Sequence, residues 1–214
     1  MDGADEEAGG GEMKRNAWVW LALAGLAVQA AGLGWLVARY ERLVTRGTEV
    51  RIPCEAFDPK DVLRGRYLHV KAEVTCEELG ELSPDNWDWR VEKKMHALLA
   101  PTGDGAASHR VARVAKEPGE EGLWVKALQV RWTWDSEERR WTPPLRVRFP
   151  GKLFMDERLA GKADQVFAER REGAEAVAVY RVWKGEMAIV DVEIDGVSVK
   201  ELARAAAREG RNDE

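Results

Sequence analysis

The chain has 214 residues, with 33 Lys and Arg against 38 Asp and Glu, giving a formal net charge of −5. That length holds one ordinary domain with appendages and excludes a large multidomain enzyme. Hydrophobic residues at 45% and ten tryptophans supply a core, while the acidic balance lacks the basic footprint that nucleic-acid binding requires, so no nucleic acid is expected as a partner.

Residues 1–16 form an acidic, Gly-rich lead that reads as an unfolded tail. From Ala17 to Ala38, 22 residues run with Gln29 as the only clearly polar side chain. As a helix this stretch is roughly 33 Å long, enough for a hydrocarbon core of about 30 Å. Trp18, Trp20, Trp35 and Tyr40 lie near its ends, where amphipathic rings favour the headgroup layer, and Lys14, Arg15, Arg39, Arg42 and Arg46 lie outside it. A buried core helix rarely runs this long without a charge. A cleaved signal peptide would have a shorter apolar region and a small-x-small site, which Leu36-Val37-Ala38 matches poorly. The expectation is one retained transmembrane helix over 17–38 and a juxtamembrane linker over 39–47. Basic residues are fewer on the N side (Lys14, Arg15) than on the C side (Arg39, Arg42, Arg46, Arg51), a count that favours a cytoplasmic C-terminal domain. Ala30 and Gly34 form a small-xxx-small pair of a kind common in any span.

Beyond the linker, residues 66–75 alternate strictly. Leu68, Val70, Ala72 and Val74 share one face, and Tyr67, His69, Lys71, Glu73 and Thr75 share the other, the pattern of a half-buried strand. The same period of two appears around Val147 and Phe149 and along Ala188 to Ile194. Strands are predicted near 48–54, 66–75, 92–100, 109–116, 123–134, 145–149, 175–183 and 186–194. Turn signals fall at Thr102–Gly105, Pro118–Gly122, Lys184–Gly185 and Asp195–Gly196, as in a β-meander or open barrel. Met155, Leu159, Ala163, Val166 and Phe167 recur at helical spacing within 155–171. Ser198 and Glu201 make a capping box that opens a short helix with Leu202, Ala203 and Ala206 facing inward. The predicted fold is a mainly β (α+β) antiparallel domain over 48–205 with two short helices, preceded by one N-terminal transmembrane helix and followed by a charged tail over 206–214.

Sequence handles for common chemistry are missing: there is no HExxH, CxxC, GxSxG, P-loop or strand-borne GxGxxG. His69, His96 and His109 read as solvated strand positions, and acid pairs such as Asp58/Asp61 or Glu77/Glu78 are common in a chain with 33% charged residues. No catalytic residue, metal or cofactor is assigned. Trp124, Leu128, Trp132 and Trp134 would share one strand face, and Trp87 and Trp89 form another i, i+2 pair. Such rows more often pack a core than stack on a sugar.

The segment Asp58-Pro59-Lys60-Asp61-Val62-Leu63-Arg64-Gly65-Arg66-Tyr67 is the most distinctive in the chain. Pro59 fixes its own φ and pushes Asp58 out of the helical region, Asp58 can accept backbone hydrogen bonds, and Gly65 lets the chain reverse into the next strand. Turn chemistry alone accounts for these residue types, and Asp61, Arg64 and Arg66 equally make a charged cluster that a partner could use. The segment resembles the motif DPRDxxRGDYxxLxY of the GDYXXLXY-domain family of bacterial membrane-anchored proteins. Gly65 and Tyr67 are retained, while the family Asp falls on Arg66, the Leu on Val70 and the second Tyr on Ala72. The resemblance extends to the layout of span, motif loop, β-rich body, a strand-helix unit from Arg148 to Glu157 and a closing hairpin at Ile194-Asp195-Gly196.

That resemblance implies an anchored, extracytoplasmic domain associated with a polytopic membrane protein, and no established activity. The motif-loop residues it singles out, structural or partner-binding, are Asp58, Pro59, Asp61, Leu63, Arg64, Gly65, Arg66 and Tyr67. The expected function is a single-pass accessory or interaction module of the bacterial inner membrane, with the lipid bilayer as its first partner. The alternative is an anchored enzyme or ligand binder using the 58–67 loop. Cys54 and Cys76 are the only cysteines. Pairing the strand before the loop with the strand after it sets Cys54 beside Arg66, about 33 Å from Cys76, so they are expected to be free thiols, or bonded only between chains, rather than a Cys54–Cys76 disulfide.

Overall fold

The computed structural model describes residues 9–56, 67–76, 95–103, 107–137, 140–169 and 173–212. The chain divides into two compact units, Met1–Arg42 and Leu43–Glu214. The first consists of most of helix α1 (Gly9–Arg46), whose side chains from Trp18 to Arg42 are exposed. Its Trp18–Arg46 stretch is long and apolar enough to cross a membrane, a property that membrane anchors share with signal sequences. The Arg39 guanidinium lies 5.3 Å from the centre of the Trp35 ring, so the basic border packs on the aromatic one.

In the second unit the strands are β1 (Thr48–Pro53), β2 (Glu55–Ala56), β3 (Tyr67–Lys71), β4 (Glu73–Cys76), β5 (His96–Pro101), β6 (His109–Ala115) and β7 (Leu123–Lys126), followed by β8 (Gln129–Asp135), β9 (Arg140–Arg148), β10 (Lys152–Phe154), β11 (Ala176–Trp183), β12 (Glu186–Ile194) and β13 (Val197–Ser198). Helices α2 (Glu157–Ala168) and α3 (Val199–Asn212) complete it. Among the described residues all the pairings are antiparallel, in sheets ordered β1-β11-β12-β13, β10-β3-β2, β4-β9-β8 and β6-β5-β7.

The four sheets are joined by strands that turn corners. The predicted strand 66–75 divides at Ala72 into β3 and β4. Both halves face the 145–154 segment in one continuous register, Glu73 opposite Arg148 and His69 opposite Lys152, which sets Pro150 opposite Lys71. Phe149 N–H bonds to the Ala72 carbonyl and Val70 N–H to the Gly151 carbonyl, both 2.9 Å, so Pro150 and Lys71 are the non-hydrogen-bonded pair between them, where a residue with no N–H costs the ladder no bond. A Cβ on Gly151 would stand 1.9 Å from the Val70 oxygen, so only glycine allows this approach. The predicted strand 123–134 likewise divides. Ala127 N–H bonds to Met95, Leu128 N–H bonds to Arg148, and the chain passes from β5 to β9 as it goes.

Inward residues of every sheet meet in one core that includes Ile52, Val70, Val125, Leu145, Phe149, Tyr180 and Val192. The two predicted tight turns at Lys184–Gly185 and Asp195–Gly196 have positive φ at both residues, the conformation that suits the twist of a two-residue hairpin. Asp156 caps α2, its carboxylate accepting from Arg158 N–H at 2.9 Å, and Ala160, Ala163 and Phe167 are its buried stripe. Ser198 Oγ accepts from Lys200 N–H at the start of α3, where Val199 and Ala203 are buried and Leu202 and Ala206 half-buried. The helix continues to Asn212, through residues read from the sequence as tail.

Candidate functional site

Asp58, Pro59, Asp61, Leu63, Arg64, Gly65 and Arg66 lie outside the described residues, as do the acid pair Glu77/Glu78 and the tryptophans Trp87 and Trp89. Tyr67 opens β3, its backbone opposite Phe154. The strands on either side of the motif segment are β2 and β3. β2 and β3 pair with Glu55 opposite Lys71 and Ala56 opposite Val70, and β10 flanks β3 on the other side.

This register corrects the expected position of Cys54. Instead of lying beside Arg66, Cys54 precedes Glu55 and therefore sits near Ala72, at the far end of the strand. The 33 Å separation from Cys76 does not hold, because the alternating pattern specifies faces and leaves the opposing residue open. Both cysteines are buried thiols, Cys54 at 7% and Cys76 at 1% exposure.

Below the stem, β1 turns away to pair with β11 while β4 turns away to pair with β9, and a cleft of about 220 Å³ opens between them. Its walls are Pro53, Cys54, Glu55, Lys71, Glu73, Val74, Thr75 and Arg146. Glu73, only 8% exposed at its side chain, is the centre of a charge cluster: Arg146 lies at 3.2 Å, Arg131 at 3.3 Å and Lys71 at 3.7 Å. Lys71 also reaches Glu55 at 3.8 Å. The three cations come from β3, β8 and β9, and each meets Glu73 along or diagonally across the sheet. One well-held carboxylate thus arranges two guanidinium groups, each with donors left over for another acceptor.

Tyr180 pins the segment between β9 and β10. Its hydroxyl donates to the Pro150 carbonyl at 2.6 Å, and its ring leans on Phe149 at a centroid distance of 6.4 Å. Burial, and then the nearby Cys54 sulfur, push the phenol well above the ordinary tyrosine range. The tyrosine therefore stays protonated and holds the proline corner at every physiological pH.

The histidines stay apart. His69 is half-buried on β3, His96 Nδ1 pairs with the Lys116 carbonyl at 3.1 Å, and His109 Nδ1 lies 2.7 Å from Ser108 Oγ, its pKa lowered by burial. Among the described residues no group of three or more His, Cys, Asp and Glu converges on a metal position. The expected aromatic row is broken by the corner at Ala127–Leu128. Trp132 is buried at 3%, Trp124 is half-buried with its Nε1 donating to the Glu121 carbonyl at 2.8 Å, and Leu128 is 52% exposed. Trp134 contributes its backbone to β8.

Glu73, Lys71, Arg131 and Arg146 escaped the sequence reading. Lys71, Glu73 and Arg146 all lie on polar strand faces, but only the β4-β9-β8 register brings the separate segments together. A family model described as GDYXXLXY protein matches residues 29–192, most of the chain. No curated protein and no solved structure matches it.

Proposed function

The chain belongs to the GDYXXLXY family, and on that premise we propose that it is a single-pass membrane-anchored, non-catalytic accessory module of the bacterial envelope. Its β-rich domain is carried at the extracytoplasmic face of the inner membrane and presents the 58–67 loop to a polytopic membrane partner. The observation that supports this reading is that one chain of this family carries both an exposed helix long and apolar enough to cross a membrane and a separate β-rich unit. Confinement to the membrane plane raises the effective concentration of domain and partner, so a modest interface suffices for association.

The test is purification of the full chain in mild detergent, with alanine at Asp61, Arg64 and Arg66 as the comparison. A partner held in fixed stoichiometry by the parent chain and lost from the variant is the expected result. A variant that keeps its partner but loses turnover on a small molecule would instead support an anchored enzyme or ligand binder using the same loop.

A further inference from the structure

Resting on the interaction-module reading, we propose that the cleft between the diverging strands β1 and β4 is a carboxylate-binding site that takes an acidic side chain of the partner, with Lys71 and Arg146 as its cationic contacts. Within a chain of net charge −5, the cluster is a local exception. Lys71, Arg131 and Arg146 carry three positive charges against the two carboxylates of Glu55 and Glu73.

The division of labour among these groups defines the occupant. Glu73 is sheltered and takes a cation from each of three strands, so it is the fixed organiser. Glu55 is 74% exposed at its side chain and touches Lys71 only at 3.8 Å, a contact that an incoming carboxylate can replace. Arg146, 42% exposed, and Lys71, 30% exposed, line the cleft and keep unused N–H donors. Arg148 also stands opposite Glu73, two residues on from Arg146, so the cluster carries an excess of positive charge that attracts an anion. The remaining wall is Pro53, Cys54, Val74 and Thr75, and its apolar part suits the short aliphatic stem of an Asp or Glu.

Propionate is the probe, with propionamide as its neutral counterpart and inorganic phosphate as the competing anion. The full chain is held in uncharged detergent at low ionic strength and binding is followed by ligand-observed magnetic resonance. The expected result is saturable propionate binding, weakened by added salt and absent for propionamide. Two substitutions must move it in opposite directions: Lys71→Gln weakens binding about fivefold or more and Glu55→Gln tightens it about threefold, as expected for single charges acting across a partly wet cleft. Both side chains make only long contacts here, and unchanged unfolding midpoints show that the fold is kept.

Equal behaviour of propionate and propionamide, or wild-type affinity in both variants, overturns the proposal. Phosphate binding tenfold tighter than propionate overturns it too, and assigns the cleft to a phosphate group. If propionate behaves as expected but no chain co-purifies with the protein, the module reading fails while the carboxylate site stands. A partner that stays bound to the Lys71→Gln, Arg146→Gln double variant has the reverse meaning.

Discussion

Replacing Tyr180 by Phe removes one hydroxyl and keeps the ring that packs on Phe149. The lost contact is the 2.6 Å bond to the Pro150 carbonyl, made at the residue that joins β9 to β10 opposite Lys71. A net hydrogen bond is worth about 1 kcal/mol, and leaving a half-buried carbonyl without its donor adds a comparable amount, so Tyr180→Phe should cost about 1–2 kcal/mol near pH 8. The pH dependence isolates the cause. The folded-state pKa of Tyr180 lies above its unfolded value of about 10, so its contribution is complete below pH 10 and declines as pH rises, because the unfolded chain releases the proton first. The decline approaches about 1.4 kcal/mol per pH unit, and one unit above the unfolded pKa the parent chain has lost roughly 1.4 kcal/mol that the Phe variant cannot lose. Urea unfolding of the full chain in nonionic detergent, followed by tryptophan fluorescence, should show a gap at pH 8 that nearly closes at pH 11. A variant as stable as the parent at pH 8, or a gap that stays constant between the two pH values, would refute the reasoning.

Gly151→Ala places a methyl group 1.9 Å from the Val70 oxygen, so the β3–β10 approach must open; a loss of about 1–3 kcal/mol in the same unfolding assay is expected. Glu73→Gln leaves Arg131, Arg146 and Lys71 facing one another without their central acid. Because the cations are partly exposed, the expected cost is about 1–3 kcal/mol, reduced by raising the salt concentration, which screens the cations from one another. For orientation, both native cysteines are too buried to report, whereas Glu120 is exposed. A Glu120→Cys variant should react with a membrane-impermeant maleimide in intact spheroplasts, and reaction only after lysis would place the domain in the cytoplasm.

Much of the strand layout is legible in the sequence. β1, β6, β11 and β12 fall where strands are predicted, β12 from its period of two, and the two glycine-containing turns adopt the backbone that their residue types demand. The corner at Ala72 is not legible, because the alternation runs unbroken through it. At Ala127–Leu128 the sequence does carry a signal, since the polar positions shift from Lys126 to Gln129, Arg131 and Thr133. Which segments meet is set by the register, and no single segment states it. The charge cluster was hidden for the same reason. Lys71 and Glu73 lie close in sequence, yet Arg131 and Arg146 join them only through cross-strand pairing, which no local pattern encodes. The short strands β2, β10 and β13 are set by their neighbours and have no periodicity of their own to read.

The central claim is that the apolar helix is kept as an anchor for the β domain, and the most direct measurement is alkaline carbonate extraction followed by intact-mass analysis of the mature chain. The protein should remain in the membrane pellet with residues Trp18–Tyr40 still attached, since surface electrostatics do not survive the wash and an apolar span does. A soluble species in the supernatant, with a mass that begins beyond Ala38, would contradict it and identify the helix as a cleaved signal.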